Sequence, residues 1–533
     1  MSDASPATPV PADTAPASHP RTIHLCNLAN VAYGYCKALR EDDHDLVLRC
    51  HDLKHLMSQP EWDDLELRAE DFPDEFDFYT NTADFGTYRR PDWFLSAGIM
   101  PEHYVGLPGA GPAGGEAAGG ASGAGEAVGA GEAAAASETP ATPSSTPGHS
   151  PSRVKAVWHK MPPGLRRTLK PRLQQAQFAR SAMRSDVSTV EAVRSYQQLS
   201  GERFAHLIER SHELGPDFVL DREMLGAFLP HAWWAKHHAD AHHADITFAY
   251  VLTPIYAMLL GDRPYVTVEI GTMRDIPFDG SDTGKLLANA YRFSDHAIIT
   301  NPDVVAQANQ LGVESYSFVP HPLDEDLYDA AVDPAFGEEL RAKYGTRFLF
   351  FAPARQNWDV KGNDRYLKAF ARLRADRQDA TLIIPGWGQE VERSQQLCRE
   401  LGIEDAVDWI PPQSEALLVK YYRAADVVLD QFILGVFGLT TPKAMGCSAA
   451  VLTSYRPELH TWAFPEHPPL IPAETADEIY AELAALLEHP DRLQAIGAES
   501  RRWVERYHSK SVIRSGLEEA MAIAQDRYAA RRN

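Results

Sequence analysis

The sequence predicts an α/β protein built from two doubly wound, Rossmann-like domains in tandem. Three observations predict it. Short apolar runs alternate with helical stretches through most of the 533 residues, the alternation restarts after the turn at residues 320–322, and the chain closes on three helical stretches with no strand between them. In the first half the strands are residues 22–26, 45–50, 245–250, 265–271 and 297–300, with helices at 31–41, 254–260 and 284–293. In the second half strands at 348–352, 380–385, 407–410 and 426–429 alternate with helices at 364–377, 391–401 and 415–425. Helices at 476–488, 490–507 and 510–531 end the chain. Ligands of such sheets sit beyond the carboxyl ends of the strands, which predicts a cleft between the domains. The expected boundaries are a disordered tail over 1–20, a first domain over 21–325 and a second over 326–508. A last helix over 509–533 crosses back to the first domain.

Composition bounds the function. The formal net charge of -23 leaves little basic surface to neutralise phosphates, so nucleic acid is not an expected partner. Five cysteines, odd in number and with no CxxC pair, fit a reduced, cytoplasmic interior better than a disulfide framework. No apolar run reaches the ~18–20 residues that span a bilayer, and the first twenty residues lack the basic start and apolar core of a secretory signal. Residues 106–151, rich in Gly, Ala, Glu, Ser, Thr and Pro, read as a disordered insertion. The basic stretch 153–184, with interleaved Trp158, Leu165, Leu169 and Phe178, reads either as a solvated helical face or as a peripheral contact with anionic lipid at the inner membrane face.

The chemistry concentrates in two loops of the second half. Arg355 and Lys361 follow the strand at 348–352. A guanidinium offers a fork of donors and an ammonium a point charge, the pair of groups that suits a diphosphate. Positive charge fixed where a leaving diphosphate accumulates negative charge lowers the barrier by roughly 3–4 kcal/mol for one good donor. The second loop runs from Gly435 to Lys443. Thr441 and Pro442 read as N-cap and first position of a helix. That start would aim free backbone N–H groups toward Gly435–Thr440, with Gly435 and Gly438 allowing close backbone approach. Lys443 would then stand at the unfavourable end of the helix dipole, at ~0.3–1 kcal/mol, a sign that a bound anion would reverse.

Around these loops the chain resembles the retaining glycosyltransferases of family 4, which have the GT-B architecture of two domains facing across a cleft. Ala425-Asp426, Phe437-Gly438-Leu439 and Ala444-Met445 with Cys447 match parts of the family signature, and Arg355 and Lys361 fall on its paired phosphate-binding cations. Gly386 and Gly388 resemble its glycine turn, Gly271 lies in the loop that normally carries histidine-glycine, and Asn30 lies in the loop that approaches the donor phosphates. The two glutamates of the signature are replaced, by Gly435 and Lys443. The resemblance implies transfer of a hexose from a nucleotide-sugar donor to an acceptor that is a glycan, a lipid or a small molecule, with no cofactor and no metal. Arg355 and Lys361 would be catalytic. Asn30, Gly271, Gly386, Gly435, Phe437, Gly438, Leu439, Thr440 and Lys443 would border the donor.

Three readings follow: an active transferase that holds its sugar through Asp430 or the backbone amides of residues 438–440, a transferase for a different donor, and a GT-B scaffold that has lost catalysis. A nicotinamide dehydrogenase would need GxGxxG after the first strand, and residues 27–30 contain no glycine. His237, His238, His242 and His243 read as a polar helix face rather than a metal site.

Overall fold

A computed structural model describes residues 19–50, 56–68, 87–96, 199–329 and 334–532. The expected tail up to residue 18, the insertion 106–151 and the basic stretch 153–184 lie outside the described residues. Two parallel sheets carry the fold. The first has the order β3-β2-β1-β4-β5-β6-β7. Its strands are β1 (Thr22–Leu25), β2 (Leu46–Cys50), β3 (Phe94–Ser96), β4 (Ile246–Tyr250), β5 (Tyr265–Glu269), β6 (His296–Ile299) and β7 (Tyr316–Phe318). The second has the order β10-β9-β8-β11-β12-β13. Its strands are β8 (Phe348–Phe351), β9 (Ala380–Pro385), β10 (Val407–Ile410), β11 (Val427–Leu429), β12 (Ala450–Thr453) and β13 (Ile471–Pro472).

Every pairing within both sheets is parallel. Parallel strands covered on both faces are expected to be continuously apolar, and alternate residues of the second sheet do enter two separate cores. Phe348, Phe350, Leu382, Ile384, Leu429 and Leu452 pack on the helices Asn363–Asp376 and Ala476–Glu488. Leu349, Phe351, Ile383, Val428 and Val451 pack on Val419 and Tyr422 and on Ala444 and Met445. In the first sheet Leu48, Phe248, Tyr250 and Val266 share a core with the helix Val31–Arg40 and with Ile513, Leu517 and Met521 of the last helix, Lys510–Arg532.

The residues fall into two compact units. One takes those within Met1–Gly98, Ala235–Gly271 and Ala290–Asn533, and so holds both sheets; the other takes those within Ile99–Trp234 and Thr272–Asn289. In the second unit the side-chain amide of Asn289 donates to the Phe218 carbonyl at 2.9 Å, and Phe218 meets Phe278 edge-on.

The weakly periodic elements escape the sequence reading. β3, β7 and β13 have two or three residues each, and the 20-residue helix Arg222–Ala241 has apolar residues spread around its circumference and a proline inside it, so it shows no clean stripe.

Candidate functional site

Strand order reverses once in each sheet, between β1 and β4 and between β8 and β11. Loops leaving adjacent strands in opposite directions open a crevice at such a point. In the second sheet those loops are the one after β8, with Arg355 and Lys361, and the one after β11, with Asp430 to Thr440.

The β8 loop is held by its own polar side chains. Asn357 caps the short helix Trp358–Lys361, accepting from the Val360 N–H at 3.1 Å. The Asn363 side chain accepts from the Asn357 N–H at 2.8 Å and donates to the Arg355 carbonyl at 3.2 Å. The Gln356 N–H donates to the Trp387 carbonyl at 2.8 Å. Gly388 makes that approach possible: its φ is +104°, and a Cβ there would stand 2.6 Å from the Gln356 backbone. At Gly386, the glycine expected to matter, the nearest atom to such a Cβ is 3.7 Å away, so the steric requirement lies two residues further on.

Arg355 is half-buried. Burial lowers its pKa, and no carboxylate answers its guanidinium among the described residues. Burying an unpaired cation is unfavourable, which makes this position receptive to an anion. Lys361 donates to Gln431 Oε1 at 3.3 Å, and Gln431 donates in turn to the Val436 carbonyl. The first cation loop is thus tied to the glycine loop. Asp430 is buried, its pKa raised by burial and drawn back by Lys361 and by the Thr441 hydroxyl, which donates to its Oδ2 at 2.7 Å.

That last bond corrects the expected helix start. The helix runs Thr440–Gly446, Leu439 takes the cap position without a side-chain cap, and Thr441 lies inside. A buried carboxylate claims the hydroxyl that the sequence assigns to capping. Lys443 consequently sits in the last turn of a seven-residue helix, where the dipole carries no penalty for it. Gly435 has φ +73°, and a Cβ there would meet the Arg456 side chain at 2.7 Å. Arg456 itself pairs with Glu474 at 3.0 Å. Gly438 faces open space, with nothing within 4 Å of a Cβ. Phe437 is buried among His460, Phe464 and Trp503, anchoring the loop from the core side.

Lys443 faces a different environment. It shares a cavity of about 30 Å³ with Asn30, Lys37, Asp63, Asp324, Glu415, Leu439 and Lys510. The three acids and three lysines there balance. Lys443 Nζ lies 2.5 Å from Glu415 Oε2, with both side chains largely buried. Burial pulls the Lys443 pKa down, but Glu415 and Asp63 outweigh it and the net shift is upward. Lys37 bridges Asp64 at 2.7 Å and Asp324 at 2.8 Å. Lys510 reaches Asp326 at 2.6 Å and Asp324 at 3.1 Å. Burial raises the Asp63 carboxyl to about 7, against the pull of Lys443. Asn30 donates to Asp63 at 2.9 Å and to the Gln59 carbonyl at 2.9 Å, so its amide protons are engaged.

The first switch point is strained. Cys26, Ala29, Asn30 and Val251 all have positive φ, a costly backbone state for side chains with a Cβ, and such residues gather at functional sites. Gly271, at φ +115° after β5, gives its N–H to the Glu269 carboxylate and is not among the residues lining the cavity.

The structure thus brings Lys361 against the glycine loop, and brings Asn30, Leu439 and Lys443 into one cavity. It adds Asp63, Glu415, Lys37, Asp324 and Lys510, which sequence reading missed. Their pairings span up to 287 residues, as for Lys37 and Asp324, and leave no local signal. Among the described residues no helix is long and apolar enough to cross a membrane.

Residues 338–503 match the family model described as "Glycosyl transferases group 1". A D-inositol 3-phosphate glycosyltransferase of Kineococcus radiotolerans is 31% identical over 144 residues, 25% of this chain and 33% of that protein. One from Corynebacterium jeikeium is 30% identical over 184 residues, 31% of this chain and 43% of that protein. The chain therefore spans less than half the length of these curated relatives. Anabaena HepE, crystallised in complex with UDP, is 19% identical with a TM-score of 0.47, over 56% of this chain and 83% of that one. The match to the glycosyl transferase model thus falls on the second sheet and its helices, and the two parallel α/β sheets are the tandem architecture that the sequence predicts.

Proposed function

We propose that the protein transfers a hexose from a nucleotide-diphosphate donor to an acceptor hydroxyl, with retention at the anomeric carbon. One observation carries this reading. A half-buried guanidinium without an acidic partner among the described residues stands at the carboxyl-end switch point of the sheet that matches the glycosyl transferase model. In the reaction the bond between the anomeric carbon and the diphosphate oxygen breaks, and the acceptor oxygen bonds to that carbon on the same face. The acceptor proton passes to a donor phosphate oxygen. Arg355 and Lys361 stabilise the departing diphosphate, and the open backbone at Gly438–Thr440 borders the sugar. Positive charge comes from these two side chains, so the reading needs no metal ion. The acceptor class stays a glycan, a lipid or a small molecule. Five buried cysteines, odd in number and with no CxxC pair, support a cytoplasmic setting, and residues 153–184 are the candidate lipid contact.

A second reading is a non-catalytic scaffold. It is favoured by the ion pair between Lys443 and Glu415 and by Arg456 packed against Gly435, at the two positions where the family resemblance expects glutamates. Incubation with UDP- and GDP-sugars, with release of UDP or GDP as readout, separates the two. Turnover that falls at least about 100-fold in Arg355→Ala supports the transferase. Nucleotide binding with no turnover of any donor supports the scaffold. Turnover unchanged in Arg355→Ala overturns the site.

A further inference from the structure

We propose that His19, Asp42, His44 and Glu518 form a site for a divalent transition-metal ion, apart from the transfer site. One donor atom from each of the four lies within 4.8 Å of the other three. They come from separate places in the chain: the segment before β1, the turn between the helix Val31–Arg40 and β2, and the last helix. His44 Nε2 is 3.0 Å from Glu518 Oε1, His19 Nε2 is 3.5 Å from Asp42 Oδ2, and the two imidazoles stack with centroids 3.8 Å apart.

Exposed carboxylates often gather without an ion. The buried imidazole sets this cluster apart. His44 is 0% exposed, and its Nδ1 is buried with no hydrogen-bond partner. With its proton on Nδ1, His44 turns the Nε2 lone pair toward Glu518 Oε1, 3.0 Å away, and a cation between these two acceptors would take both as ligands. Two imidazoles and two carboxylates suit zinc, whose bonds of about 2.0–2.2 Å require only a modest contraction of the cluster. His19 and Asp42 are exposed, so an ion can enter from solvent. An ion here would pin the last helix to the segments that lead into β1 and β2, adding a link at Glu518 beyond the Ile513, Leu517 and Met521 packing.

The test is titration of the full chain, stripped with EDTA and exchanged into chelator-free buffer, with zinc chloride in a calorimeter. The expected result is one equivalent bound, weakened at least about 10-fold in His19→Ala, with wild-type affinity retained in His238→Ala/His242→Ala. His19 is chosen because its exposed ring can be removed without opening the core, whereas His44→Ala would disturb packing. A thermal melt of the variant confirms that it is folded. No binding, a change of less than about 10-fold in His19→Ala, or loss of binding in the His238/His242 variant each overturns the proposal.

Discussion

Two charged regions of this molecule lie on neighbouring loops and behave oppositely. Beyond the end of β8, Arg355 is half-buried with no carboxylate among the described residues to answer it. Around Lys443 three lysines and three acids line one small cavity, and the lysine is held by Glu415 at 2.5 Å. The same type of group, a cation shortly after a buried strand, is open to a ligand in one place and consumed by the fold in the other. The difference is the partner, and the partner is 28 residues away from Lys443 in the chain. A buried ion pair sharpens geometry more than it adds stability, whereas an unpaired buried cation is receptive to an anion.

The largest effect on stability should come from breaking the balanced cavity. Lys443→Ala leaves Glu415 and the nearby Asp63 without their cation, and should destabilise the fold by about 2–4 kcal/mol in urea unfolding, a little below the figure for a fully buried pair. The swap Lys443→Glu with Glu415→Lys should recover part of this loss. A Lys443→Ala protein as stable as the wild type would mean that the pair is solvated, and the contrast with Arg355 would weaken. Next comes Gly388→Ala, which forces a Cβ to within 2.6 Å of the Gln356 backbone at a φ of +104°. It should cost about 1–3 kcal/mol and reduce nucleotide affinity by moving the Arg355 loop. Full affinity in this variant would show that the turn does not set the loop.

Acid should produce a smaller, graded effect. Burial depresses His508 and His296 to about 4 and His24 to about 3. These groups take up protons more readily when unfolded, so the stability they contribute is complete above about 6.5 and is lost as pH falls through about 4. Asp63, raised to about 7, acts in the opposite sense, losing stability as pH rises from its unfolded value through 7. The three rings should outweigh the raised carboxyls of Asp63 and Asp430 and leave a net fall in Tm from pH 6.5 to pH 4.5. A flat or rising Tm over that range would show that these rings are not buried neutral.

The sheets were legible because buried parallel strands are short apolar runs between helices. The helices Val391–Leu401, Ala476–Glu488 and Pro490–Tyr507 begin and end where periodicity and punctuation place them. The placement of Arg355 and Lys361 beyond a strand end was legible because they follow such an apolar run directly. Thr441 was misread because threonine before proline is a strong local cap signal, and nothing local reveals that Asp430, eleven residues back, takes its hydroxyl. Glu415 and Asp63 were invisible for a similar reason: on a helix surface an acid looks solvated until the fold brings a lysine to it.

The most direct test of this contrast is calorimetric titration of UDP and GDP into the wild type, Arg355→Ala and Lys443→Met. The account predicts that Arg355→Ala loses at least about 100-fold in affinity for whichever nucleotide binds, while Lys443→Met, if folded by circular dichroism, stays within about 3-fold of the wild type. The reverse ranking, with Lys443→Met abolishing binding and Arg355→Ala leaving it intact, would contradict it.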